Sequence, residues 1–190
     1  VDLDNDGDID DNDRDYLGSP IPDFEYSLAY NMDYKNFDLS LFFQGVQGNE
    51  LWNGKRYHYV LDGTRGIKTQ EALNAWTPQN TNTTVPRATQ RDLALNKRPS
   101  DYIVEDGSYL RLKTLQVGYT FASDMVEKID LSNVRLYLSG SNVFTITNYT
   151  GYDPELGRPL NGDGSLFDGG VDRRAYPNNK GFLLGIQVGF

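Results

Sequence analysis

The stretch FEYSLAYNMDYKNFDLSLFFQ, residues 24–44, decides how this chain is read. Phe24, Tyr26, Leu28, Tyr30, Met32 and Tyr34 fill every even position of its first half, with Glu25, Ser27, Asn31 and Asp33 among the odd ones. A period of two puts alternate side chains on opposite faces of a pleated strand. After Lys35-Asn36 the apolar positions are Phe37, Leu39, Leu41 and Phe43, alternating with Asp38, Ser40, Phe42 and Gln44. Two long strands joined by so short a connection form a hairpin.

Working outward, residues 48–101 lose the alternation and are rich in Asn, Thr, Arg, Gly and Pro. They read as a long loop with room for short helical turns. A third strand is predicted over 109–121. Its apolar parity changes from Leu110 and Leu112 to Leu115, Val117, Tyr119 and Phe121, as a bulge near Lys113-Thr114 would produce. A short polar connection over 123–132 leads to a fourth strand over 133–147, residues 149–179 form a second long loop, and a fifth strand over 181–190 ends on Phe190.

Long and short connections therefore alternate, as they do in outer-membrane barrels with short periplasmic turns and longer extracellular loops. Residues 35–36, 123–132 and the carboxy terminus would face the periplasm. Residues 1–21, 49–101 and 150–178 would face outside. Tyr30, Tyr34 and Phe37 flank one short turn and Tyr119 and Phe121 precede the other, which fits an aromatic girdle at one membrane interface. The fold class expected is all-β: about five antiparallel strands of a large transmembrane barrel. The rival is a secreted, calcium-stabilised β-sandwich that binds carbohydrate, since sandwiches also alternate.

Composition agrees with strands. The 190 residues hold 13 Tyr and 9 Phe against 2 Met, and aromatic residues suit a pleated surface. A net charge of −9 repels nucleic acid and anionic lipid. With no cysteine there is no disulfide framework, thiolate metal site or thiol nucleophile. No run approaches the ~20 apolar residues of a membrane helix, which leaves barrel strands open. The chain starts on Val1 with an acidic motif at once, so it reads as a piece of a longer protein.

That motif has its own chemistry. Asp2, Asp4, Asp6, Gly7, Asp8, Ile9 and Asp13 follow the spacing of an EF-hand-type calcium loop, with carboxylates at the first, third, fifth and twelfth positions and a backbone carbonyl expected from Asp8. The helix that would complete a hand is broken at Ser19-Pro20-Ile21-Pro22. The expectation is a structural calcium loop; the alternative is a solvated acidic loop. His58, the single histidine, lies far from any nucleophile elbow. Glu105 with Asp106, and Asp153 with Glu155, have the residue types glycosidases pair, but neighbours in sequence do not make a cleft. No enzyme activity is predicted. Trp52, Tyr57, Tyr59, Trp76 and Tyr152 lie in the outer loops, where they either contact a ligand or partner or pack the loops onto the rim.

Several segments, in order, resemble the carboxy-terminal region of SusC/RagA-like TonB-dependent outer-membrane transporters. They are Asp2-Leu-Asp-Asn-Asp-Gly-Asp-Ile9 with Gly18-Ser-Pro-Ile-Pro22; Phe37-Asp-Leu-Ser-Leu-Phe-Phe-Gln-Gly45; Trp76-Thr-Pro-Gln-Asn80; and Gly107-Ser-Tyr-Leu-Arg-Leu-Lys113 with Gly118-Tyr-Thr-Phe121. Ser141-Asn-Val-Phe-Thr-Ile-Thr147 with Tyr149, Gly151 and Asp153-Pro-Glu155, then Tyr176-Pro177 and the final strand, follow. The resemblance implies wall and loops of an importer of glycans or other oligomeric nutrients in the bacterial outer membrane. Its partners would be a SusD-like surface lipoprotein, the TonB complex through an upstream region absent here, an oligosaccharide or peptide substrate, and outer-membrane lipid. The division expected is the calcium-loop segment over 1–21 and barrel strands and loops over 22–190, and the resemblance of the last strand implies a role for Phe190 in recognition by the barrel-assembly machinery.

Overall fold

The computed structural model describes residues 3–7, 10–61, 68–89, 96, 98–126, 128, 130–156, 169–173 and 175–190. Its frame is one antiparallel sheet of five strands, β1 (Phe24–Tyr34), β2 (Phe37–Gln47), β5 (Tyr109–Thr120), β6 (Asn133–Thr147) and β8 (Gly181–Gly189), each beside the next in that order. The β1–β2 hairpin turns at Lys35, whose φ of 55° lies in the left-handed region, and closes on the pair Tyr34 with Phe37. Between β5 and β6 lies a single helical turn, α2 (Ser123–Val126).

The expected bulge is present. Phe42 faces Thr114 and Phe43 faces Leu112, so Lys113 is the extra residue, and Asn142 and Val143 of β6 lie opposite it. This one residue lets Leu110 and Leu112 share a face with Leu115, Val117 and Tyr119 although their parity differs. Through the register, that face continues into Leu39, Leu41 and Phe43 on β2 and into Leu136, Leu138, Phe144 and Ile146 on β6. On β8 it ends in Phe182, Leu184, Ile186 and Val188. The opposite face carries Asp38, Ser40, Gln44, Arg111, Gln116, Arg135 and Ser139.

The apolar face is bare. Leu28 is 60% exposed, and Phe182, Leu184 and Ile186 are 68%, 69% and 67% exposed. A sandwich would cover this face with a second layer. The other sheet among the described residues is too small to do so: β3 (Glu50–Asn53) lies between β4 (Val104–Asp106), antiparallel, and β7 (Val171–Asp172), parallel. This small sheet corrects the reading of 48–101 and 149–179 as loops without strands. Strands of four, three and two residues are too short to show a period of two. The expected helical turns are there, as α1 (Gly54–Arg56), the π-type turn Tyr57–Leu61 and the 3-10 turn Gln70–Asn74. Buried apolar side chains belong mainly to this end of the molecule: Leu51, Val60, Leu61, Val85, Ile103, Tyr109 and Tyr149.

Candidate functional site

On the polar face, Asp38 of β2 and Arg135 of β6 reach across β5 and form a two-pronged ion pair, Nε to Oδ1 at 2.9 Å and Nη2 to Oδ2 at 2.5 Å. They meet above Gly118, where a Cβ would stand 2.2 Å from Asp38 Oδ1. A glycine on the intervening strand is what lets the two side chains touch. Arg135 also lies 5.0 Å from the Tyr137 ring centre.

At the end of the sheet that carries the long loops, residues 149–155 fold back over the same polar face. Arg111 is the anchor: Nε donates to Thr145 Oγ1, Nη2 pairs with Asp153 Oδ1 and Nη1 with Glu155 Oε2. Lys113, turned to this face by the bulge, binds both oxygens of Glu155 at 2.5 and 2.7 Å. The Arg111 and Asp153 side chains are 3% and 7% exposed. Burial pushes the Asp153 carboxyl up, but the Arg111 guanidinium and the backbone N–H groups of Asn178 and Glu155 outweigh it, so the group titrates below its usual 3.8. The two sequence-adjacent carboxylates are thus counter-ions of β5.

The other end of this segment engages the small sheet. Tyr149 Oη donates to Asp172 Oδ2 at 2.7 Å, and burial followed by that bond raises the phenol's pKa. Thr150 donates its N–H and hydroxyl to Glu105, at 2.8 and 2.9 Å, and its carbonyl accepts from Lys55 Nζ at 2.7 Å. Asn53, fully buried, caps α1 by accepting from Arg56 N and donates Nδ2 to Glu105 and Thr150. Arg56 bridges Glu105 at 2.9 Å and Glu71 at 3.0 Å. Tyr102 Oη donates to Glu71, and burial first, then that carboxylate, raises its pKa.

Of the loop aromatics, the structure brings Trp52 and Tyr57 together at 5.1 Å between ring centres, with His58 edge-on to Tyr57 at 5.0 Å. Tyr152 joins through Lys55, whose Nζ lies 5.5 Å from its ring centre. Trp76 sits in a separate turn, where its N–H donates to Val85 O, and Tyr59 accepts from Thr69 N. At the other end of the sheet three of the five expected girdle aromatics stack, with Phe37 to Tyr119 at 4.8 Å and Tyr119 to Phe121 at 5.2 Å.

The sequence has a curated relative in Formosa agariphila, TonB-dependent receptor P3, 41% identical over the whole of this chain and 18% of its own length. TonB-dependent receptor SusC of Bacteroides thetaiotaomicron is 27% identical over the whole chain and 17% of its own length. No family model matches. Among solved structures, the RagAB peptide transporter fits with a TM-score of 0.71 at 29% identity, over 91% of this chain and 18% of that one. The closed-closed and open-open states of the RagAB peptide importer fit with TM-scores of 0.70 and 0.68, at 28% and 29% identity, over 91% and 90% of this chain and 18% and 17% of those.

The chain belongs to the SusC/RagA-like TonB-dependent receptors.

The SusC-like receptor segment spans about a fifth of the relatives it matches. Membership places its sheet in the bacterial outer membrane, apolar face to lipid and polar face inward. Of the expected calcium ligands in this segment, Asp4, Asp6 and Asp13 are described, while Asp2 and Asp8 lie outside the described residues. Asn5 and Gly7 have φ of 61° and 93°, turn conformations that close the loop. Asp13 accepts from Asp10 N and Leu3 N, and those two bonds hold its carboxyl below the usual range. Among the described residues no three His, Asp or Glu stand together as a metal cluster. Phe190 is exposed just beyond β8.

Sequence reading gave no role to Arg111, Lys113, Asn53, Thr150 and Tyr149. A signal existed for the first two: they are cations on the inward parity of an otherwise apolar strand. Nothing local pointed to the others.

Proposed function

We propose that the chain forms wall and extracellular rim of a TonB-driven importer that carries oligomeric nutrients, glycan or peptide, across the outer membrane together with a SusD-like surface lipoprotein. The observation that carries this reading is one continuous sheet with a bare apolar face on one side and the Asp38–Arg135 and Arg111–Asp153 pairs on the other. Such a sheet suits lipid outside and a polar passage inside. The relatives are receptors and the solved neighbours peptide importers, which supports transport over catalysis and keeps peptide beside glycan as a cargo class. The secreted sandwich finds no support in a sheet over whose apolar face no second layer lies among the described residues. Trp52 and Tyr57, with Tyr152 nearby, are assigned contact with the incoming oligomer or the lipoprotein.

Deleting the gene of the full-length receptor in its host and restoring it tests the reading. Loss and recovery of growth on oligosaccharides or on oligopeptides, with growth on their monomers unchanged, is expected. Unchanged growth on both oligomer classes overturns it. Calcium, held by Asp2, Asp4, Asp6, the Asp8 carbonyl and Asp13, stiffens the approach to β1; the spacing and the turn at Gly7 support this. Chelation should then speed external proteolysis within residues 1–21 of the whole receptor, and added calcium should reverse it. Equal rates with chelator and with calcium would remove the metal from the account.

A further inference from the structure

Residues 149–155 touch three separate parts of the molecule. Tyr149 and Thr150 bind the small sheet through Asp172, Glu105, Asn53 and Lys55. Asp153 and Glu155 bind the wall through Arg111 and Lys113. Asn178, which precedes β8, donates its N–H to Asp153 Oδ2 at 2.9 Å and its amide to Glu155 Oε2 at 3.1 Å. The Asp153 carboxylate thus has Oδ1 on Arg111 and the Glu155 N–H and Oδ2 on Asn178. A buried pair so fully hydrogen-bonded fixes geometry more than it adds stability, because desolvation offsets much of its attraction. The small sheet holds Trp52, and α1 and the turn after it hold Lys55, Tyr57 and His58. The short links 48–49 and 107–108 join this sheet to β2 and β5, with Gly107 N–H on Asn49 O and Gly48 N–H on Ser108 Oγ; residues 149–155 add a second tie, which runs over the polar face to Arg111 and Lys113.

We infer that Arg111 and Asp153 are positioning residues of the rim: through their pair, residues 149–155 become a rigid brace that fixes the extracellular sheet and its aromatic cluster to the inner barrel wall. The brace goes beyond the transport reading and does not depend on which oligomer is carried.

The test uses the full-length receptor purified from outer membranes in detergent, after replacing any native cysteines. Spin labels are attached at Leu73→Cys and Met125→Cys, and in a second sample at Tyr152→Cys and Met125→Cys, all three positions being exposed. Both label pairs should give narrow distance distributions in the parent. Arg111→Met should lose the narrow peak in both, and Arg111→Lys, which keeps a cation for the carboxylates, should restore it. Arg56→Met, cutting the network above the brace, should broaden the Leu73 pair while leaving the Tyr152 pair narrow. A merely destabilised barrel would not separate the two samples. If Arg111→Met prevents assembly, Asp153→Asn is read in its place. Narrow distributions in both samples for the Arg111 or Asp153 variant, in a receptor that still migrates as a folded barrel, overturn the inference. Failure of the growth test with these distances behaving as expected would instead remove the transport reading and leave the brace.

Discussion

Gly118 shows how one residue governs an interaction it does not make. Valine there would put its Cβ on the line between Asp38 and Arg135, 2.2 Å from the carboxylate and 2.5 Å from the guanidinium. The pair is partly buried, its side chains 26% and 18% exposed, so forcing it apart should cost about 1–3 kcal/mol, less than a fully buried pair. The expected outcome for Gly118→Val is a lower temperature of the folded-to-unfolded gel shift of the full receptor. Arg135→Met should lower it similarly, and the double variant should add little, since both remove one interaction. Asp153 gives a pH prediction at the same scale. Its folded value lies below 3.8, so its stabilising contribution is complete above the ordinary carboxylate range and is lost as pH falls through the lowered value. Arg111, Lys113 and Glu155 face it, with Tyr109 under the guanidinium at 5.4 Å. Protease resistance of the rim should hold from neutral pH down to about 5 and fall only below about 4. Asp153→Asn should remove that acid step, and a step centred near neutrality in the parent would contradict the assignment.

At the scale of elements, Lys113 is an inserted residue whose side chain is put to use. Without it β5 would pair with β2 in an unbroken period of two, with Leu110, Leu112, Leu115, Val117 and Tyr119 still on the lipid face, and only the cation facing Glu155 would be lost. Deleting Lys113 should therefore leave the heat-modifiable barrel able to assemble, whereas one alanine inserted between Leu115 and Gln116 would turn Val117 and Tyr119 inward and should prevent assembly; loss of the barrel in the deletion would show that the wall needs the bulge itself. This element was legible in the sequence because a parity change inside a long alternating run has few other causes. The five wall strands were legible for the same reason, since each alternates over nine residues or more. The small sheet was not: β3 and β7 pair in parallel across more than a hundred residues of chain, and neither is long enough to show a face. The candidate site divided along the same line. Trp52 and Tyr57 stood out as aromatics in a polar loop, but the partnership of Arg111 with Asp153 depends on a chain reversal after β6 that no local pattern encodes.

For the whole molecule, the governing fact is that the faces and the edges of the sheet ask for different surroundings. Leu28, Met32, Phe182, Leu184, Ile186 and Val188 stand out from the apolar face, and burying one such side chain is worth about 1.5–3 kcal/mol. Leaving six of them in water forgoes on the order of 10 kcal/mol, comparable to the whole stability of an ordinary domain. Beyond that, β1 pairs only with β2 and β8 only with β6 among the described residues, so each presents an unpaired outer edge of backbone donors and acceptors. Small covered regions such as Leu51, Ile103 and Tyr149 lie at the rim and do nothing for either edge. Residues 1–190 expressed alone without detergent should therefore aggregate, or stay soluble without the near-ultraviolet circular dichroism of fixed aromatic packing, with calcium and with chelator alike. The dense aromatic content makes that spectrum a sensitive readout. A soluble monomer that melts cooperatively, and at lower temperature with chelator, would mean that this face is covered by the chain itself, and the lipid-facing assignment would have to be withdrawn.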